Sequence, residues 1–143
     1  MTLHLIKLCV GCDSIEDLAD WQQRRLADLK KKRKPLELIH ITRMTPKRAD
    51  ELLKGGSLYW VIRGQIAVRQ RLLELRAVTK GGVPHCGLVY QPQLVHVIPR
   101  YCGPFQGWRY LAAKDAPVDA RMVKGAKHLP PQLRAELAAL GLL

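Results

Sequence analysis

The order in which hydrophobic periodicity changes along the chain limits its fold more than any other feature. Leu3-His4-Leu5-Ile6-Lys7-Leu8 loosely alternates apolar and polar residues, as a strand does, and the alternation stops at Gly11. Ile15, Leu18, Ala19, Leu26 and Leu29 then recur at roughly helical spacing behind Asp13 and Glu16, which stand in capping-box positions, so a helix is expected over residues 14–31. The cation run at residues 30–34 suits the C-terminal end of that helix dipole, and Pro35 closes the segment. Residues 36–43 return to a strand pattern. Thr45 as cap, with Pro46 at the first helical position, predicts a short helix carrying Ala49, Leu52 and Leu53 and ended by Gly55-Gly56.

Residues 57–62 form a short strand rich in aromatic and β-branched residues, followed by a turn at Arg63-Gly64-Gln65. Residues 66–78 read as a strand in which Leu72-Leu73 breaks the alternation, so a β-bulge near Gln70 is expected; a helix over 65–76 is the competing reading. Residues 80–84 are a loop, 86–90 and 94–98 are strands split by Gln91-Pro92, and 100–108 are irregular. Pro130-Pro131 opens a last helix with Leu133, Leu137 and Leu140 on one face. The expected class is therefore α+β: a small, mostly antiparallel sheet or barrel flanked by three helices, and not a doubly wound sheet.

The 143 residues suit a single domain over 1–143, and 48% hydrophobic against 25% charged residues is a globular balance. No apolar run approaches the roughly 20 residues of a membrane span, and the first residues lack a secretory cleavage pattern. A cytoplasmic protein without membrane insertion is expected. Cys9-x-x-Cys12 has the spacing of half a zinc site, but Cys86 and Cys102 lie too far apart in sequence to form the usual second pair. Buried thiols are expected instead, with no metal and no cofactor.

Charge points to a partner. Lys and Arg number 24 against 12 Asp and Glu, a net charge of +12, which favours contact with polyanions. Between Leu52 and Lys114 the only acid is Glu74. Three groupings in this region combine cations with aromatics. In the strand at 57–62, Leu58, Trp60 and Ile62 share one face, with Trp60 expected in the core, while Tyr59 and Arg63 share the other face. Arg69 and Arg71 would face one side of the next strand, where guanidinium groups fork onto phosphate oxygens. Gln106, Trp108 and Arg109 lie in a constrained loop beside Phe105 and Tyr110, with an amide for a base edge and rings for stacking. Catalytic motifs are missing: there is no Walker loop, no G-x-S-x-G and no H-E-x-x-H. Lys47, Asp50 and Glu51 would form an acid/base set only if they faced a pocket.

Four passages carry a family resemblance: Leu5-Ile6-Lys7-Leu8-Cys9-Val10-Gly11, Thr45-Pro46-Lys47-Arg48-Ala49-Asp50-Glu51-Leu52-Leu53, Gly56-Ser57-Leu58-Tyr59-Trp60-Val61-Ile62, and Pro104-Phe105-Gln106-Gly107-Trp108-Arg109-Tyr110-Leu111. Together they resemble the uncharacterised bacterial family DUF1489, which implies an alphaproteobacterial source and brings no activity or site residues. The helix, the Gly-Ser-Leu-Tyr-Trp strand, the turn at Gly64 and the long strand more distantly resemble PUA-like barrels of the ASCH and EVE type. That likeness implies a small barrel and binding of RNA or modified bases, although Ser57 stands where those passages often carry an acid. The expected function is a nucleic-acid-binding module, RNA favoured, with Arg63, Arg69, Arg71 and Arg109 on phosphates and Tyr59 and Trp108 against bases. The alternatives are a small enzyme acting on a nucleic acid or modified nucleoside, and an interaction protein that docks on an acidic partner.

Overall fold

One strand organises the sheet. In a computed structural model that describes residues 2–122, β4 (Gln65–Lys80) runs for 16 residues and pairs with three other strands. At about 3.3 Å per residue it would be roughly 50 Å long if straight, too long for a domain of this size, so it has to bend. Two bulges allow this. Ala67 is the extra residue against β3 (Ser57–Ile62), and Leu73 is the extra residue against β5 (Val83–Tyr90). The alternation breaks because of Leu73, which turns outward and is 51% exposed. The expected bulge near Gln70 is thus displaced to either side of it, and the helical alternative for this segment is ruled out.

Two-residue turns join β3 to β4 and β4 to β5. Arg63 and Gly64 have φ of 52° and 75°, and Gly81 and Gly82 have 58° and 76°, the left-handed pair that matches strand twist in tight hairpins. The expected loop at 80–84 therefore shrinks to its two glycines, and both flanking strands lengthen. After Gln91 the chain resumes pairing with β4 as β6 (Val95–Tyr101). The remaining strands are β1 (Leu3–Leu8), parallel to β3; β7 (Trp108–Ala112), antiparallel to β1; and β2 (Leu38–Thr42), antiparallel to β5. The order is β2-β5-β4-β3-β1-β7, with β6 beside β4. Strand β7 falls in a passage whose start was expected to be irregular.

This architecture corrects the PUA-like expectation. The sheet is mixed and open, because no backbone ladder joins its edge strands β2 and β7. Side chains bridge the gap: the Trp108 indole donates to the Met44 carbonyl (2.7 Å), and the Arg48 backbone N–H donates to the Tyr110 hydroxyl (3.1 Å). Two α-helices, α1 (Ile15–Lys31) and α2 (Ala49–Leu52), occur among the described residues rather than three; the expected helix after Pro130 lies outside them.

Helix α1 follows its sequence closely. Ser14 caps it by accepting from the Asp17 N–H (3.1 Å), and the Asp17 carboxylate accepts from the Asp13 N–H (3.0 Å), so Asp17 takes the part expected of Glu16. Ile15, Leu18, Gln22 and Leu29 form its buried stripe. Helix α2 is shorter than predicted. Arg48, not Thr45, stands at its N-cap, without a side-chain cap bond, and the Arg48 N–H finds Tyr110. Gly56, just beyond α2, is required by contact: a Cβ there would lie 2.3 Å from the Leu3 and Leu52 carbonyl oxygens.

The sheet carries apolar clusters on both faces. One holds Leu5, Leu18, Leu38, Leu58, Trp60 and Leu88 beneath α1; the other holds Ile6, Tyr59, Val61, Ile66, Val97 and Phe105. The first contains a polar knot. Gln22 and Gln70, both buried, exchange amide hydrogen bonds of 2.8 and 2.7 Å, and the Trp60 indole donates to the same Gln70 oxygen (2.9 Å). The Gln70 amide also donates to the Gln91 carbonyl (3.1 Å). A buried polar group left without its partner costs about 1–3 kcal/mol. Gln70→Leu strands the Gln22 amide and the Trp60 indole together, so urea unfolding is expected to show a loss of about 2–4 kcal/mol. Adding Gln22→Leu should recover part of that loss; a single variant as stable as the parent would show the knot to be idle.

Candidate functional site

A cavity lies where α1 meets the sheet. It is about 590 Å³, in the size range of small-ligand sites. The loop after β1 supplies Cys9, Gly11 and Cys12; the first half of α1 supplies Asp17, Asp20, Trp21 and Arg24; the sheet supplies His40, Trp60 and Tyr90. Trp60 is fixed in place. Gln70 holds its indole N–H, the His40 ring stands edge-on to it at 5.6 Å, and Tyr90 does the same at 6.0 Å. Trp21 is the opposite case, 47% exposed on a helix turn at the cavity mouth.

The cavity wall combines charged side chains, Asp17, Asp20 and Arg24, with an uncharged inner part. Burial, reinforced by the charges of Lys7 and Lys80, drives the His40 pKa down to about 4, so the ring is an uncharged imidazole at neutral pH. Burial also raises the Cys9 thiol, reinforced by its hydrogen bond with Cys12, and raises the Tyr90 hydroxyl, so both stay protonated. Lys7 is half-buried with its pKa lowered by burial, and it makes no ion pair among the described residues. In register it sits between Trp60 on β3 and Trp108 on β7. Arg63 approaches Asp13, beside the cavity loop, at 4.0 Å. Among the described residues no three His, Cys, Asp or Glu side chains are placed to hold a metal.

The residues singled out from sequence scatter around this framework. Tyr59 is 3% exposed in the second core, edge-on to His4, so its ring has no free face. Arg69 is committed to Asp119 through two bonds of 2.8 and 2.7 Å and to the Ser57 hydroxyl (2.9 Å), which holds the Asp119 carboxyl below its usual range. Arg71 is exposed and unpaired among the described residues, and it does not join Arg69 in a fork. Arg63 projects from its turn. Gln106 is exposed; Arg109 is exposed and lies over the Phe105 ring at 4.8 Å. Trp108 is half-buried against the first core, with its indole N–H occupied by Met44. Lys47, Asp50 and Glu51 are exposed, away from the cavity lining, and Glu51 pairs with Arg48.

Sequence reasoning missed the cavity. Neither Trp21 nor His40 was singled out from the sequence. The one available signal was a large aromatic on the polar side of an amphipathic helix, next to Arg24 one turn on.

The fold and cavity define a small α+β protein with an open, curled sheet and an aromatic-lined recess under its long helix. The chain belongs to the DUF1489 family, whose model, described as a protein of unknown function, matches residues 5–143. No curated protein and no solved structure matches it. No helix among the described residues is long and apolar enough to cross a membrane.

Three imidazoles, His4, His40 and His96, have pKa values lowered chiefly by burial. Each binds its proton more readily in the unfolded chain, so acid favours unfolding. For His40 this contribution is intact above about 6.5, declines as pH falls from there, and is gone below about 4. The melting temperature is expected to drop steadily between those limits, and His40→Gln should make the drop shallower. An unchanged slope in the variant would contradict the burial of His40.

Proposed function

We propose that this chain binds single-stranded nucleic acid through its exposed cations and aromatics. RNA is the favoured form, because unstacked bases are presented chiefly by RNA loops and ends. The observation that carries the reading is the imbalance of charge after internal pairing. The net charge is +12, and acids that lie near the central cations are already occupied: Glu37 and Glu74 by Arg76, and Asp119 by Arg69. Arg71, Arg109 and the run at residues 30–34, in which Lys32 is paired with Asp28, remain at the surface for phosphates. Exposed rings accompany them, with Trp21 at 47% and Tyr101 at 80%, and stacking on such rings is how sequence-tolerant strand binders gain affinity.

Fluorescence anisotropy of a labelled oligoribonucleotide, measured across a salt series, tests this. Log affinity should fall linearly with log salt, by about 0.7 for each phosphate neutralised on a single strand. Arg71→Ala and Arg109→Ala should each flatten the slope by roughly that amount. Affinity that is absent at low salt, or indifferent to salt, would refute the proposal.

Arg63 adds a test of its own. A non-glycine residue at φ of 52° carries a backbone cost of order 1 kcal/mol, which Asn or Gly avoids in such a turn. Arg63→Asn is expected to raise the melting temperature slightly while weakening oligonucleotide binding. A variant that is stabilised but binds as before would remove Arg63 from the interface.

A further inference from the structure

The cavity beneath α1 has three properties that a generic hydrophobic recess lacks. Its floor is rigid: Trp60 is held by Gln70, His40 and Tyr90 from three directions. Its mouth carries an exposed indole, Trp21, which needs a ring opposite it to be covered. Its polar lining sets the His40 imidazole, the Cys9 and Cys12 side chains and the Tyr90 hydroxyl beside the carboxylates of Asp17 and Asp20 and the Arg24 guanidinium, with Lys7 and Lys80 near His40 and Arg63 near the loop that carries Asp13. A flat ring whose N–H groups meet the carboxylates and the imidazole, and whose attached anion meets Arg24, fits that distribution. A lipid tail would leave the imidazole and the Asp17 and Asp20 carboxylates without partners.

We propose that this cavity is a nucleobase site, taking one unpaired purine or pyrimidine ring on the exposed face of Trp21, with its edge toward the recess and the attached phosphate on Arg24. The proposal rests on the nucleic-acid reading above and gives it a specific contact. A space of about 590 Å³ holds a nucleotide and nothing as wide as a duplex, so a base reaches it only from a single strand, from an extruded position or as a free nucleotide. Arg24 is suited to the phosphate because its guanidinium is exposed and makes only one long bond, 3.4 Å to the Asp20 carbonyl. His40 and the thiols then face the ring edge, where a neutral imidazole offers one donor and one acceptor.

The test uses the full chain and two kinds of probe, the ribonucleoside monophosphates and a short single-stranded oligoribonucleotide, with inorganic phosphate as control. Nucleotides should quench tryptophan emission saturably while phosphate at matched ionic strength does not. Trp21→Ala, at an exposed position that leaves the core intact, should weaken binding of the oligonucleotide about tenfold, in keeping with the loss of one stacked base. Arg24→Ala should weaken the monophosphates but leave the corresponding nucleosides unchanged. Competition of monophosphates against the oligonucleotide identifies a strand base as the occupant; quenching by monophosphates without such competition identifies a free nucleotide, and both support the site. If the oligonucleotide binds Trp21→Ala as it binds the parent chain and nucleotides cause no quenching, the nucleobase site is overturned while the basic-surface reading stands. If neither probe binds at low salt, both fall together.

Discussion

The reciprocal amide pair of Gln22 and Gln70 joins the long helix to the middle of the longest strand, and the rest of the molecule is arranged around that join. Gln70 sits between the two bulges of β4, where the strand changes partners from β3 and β6 to β5. Its side chain is fully buried, and it satisfies Gln22, the Trp60 indole and the Gln91 carbonyl at once. A buried amide tolerates few alternative geometries, since each missing partner costs about as much as a hydrogen bond contributes in a dry interior. The knot therefore fixes the rotation of α1 on the sheet, which sets Trp21 and Arg24 above the recess, and fixes the plane of Trp60 beneath them.

Curvature has a second consequence. The bends of β4 bring the two ends of the sheet close enough for Trp108 and Tyr110 to bond to the segment after β2, yet the edges remain unladdered. Aromatics that look available for bases in the sequence are occupied here with closing the structure. Charge is sorted in the same way. Arg69 and Arg76 are spent on Asp119, Glu37 and Glu74 inside the fold, while Arg63, Arg71 and Arg109 face outward.

Much of the fold was legible in local pattern. The cap and stripe of α1, the strands at β1, β3 and β5, and the glycine turns follow from short-range rules, because each depends on residues within a few positions of one another. Three features depend on distant partners and were not legible. Strand β7 forms because β1 offers an edge, not because Trp108-Arg109-Tyr110-Leu111-Ala112 alternates strongly. Helix α2 starts only after Arg48, whose backbone N–H is taken by Tyr110, far along the chain. An open rather than closed sheet results from where β2 and β7 end in space. For the site, the excess of cations was plain, but which arginines pair internally was decided by acids far away in sequence, above all Asp119 for Arg69. The cavity combines a helix face, a loop and two distant strands, so no single stretch announced it.

The central claim is that a single strand lies across the basic surface and places a base in the recess beneath α1. Indole N–H resonances read this directly, because the chain has only three tryptophans and they sit in distinct settings: Trp21 at the mouth, Trp60 in the floor, Trp108 tied to Met44. On titrating nitrogen-15-labelled protein with a short single-stranded RNA, the signal of Trp21 should move furthest, that of Trp60 less, and that of Trp108 least. Shifts confined to Trp108, or no shift in any of the three at low salt, would contradict the account.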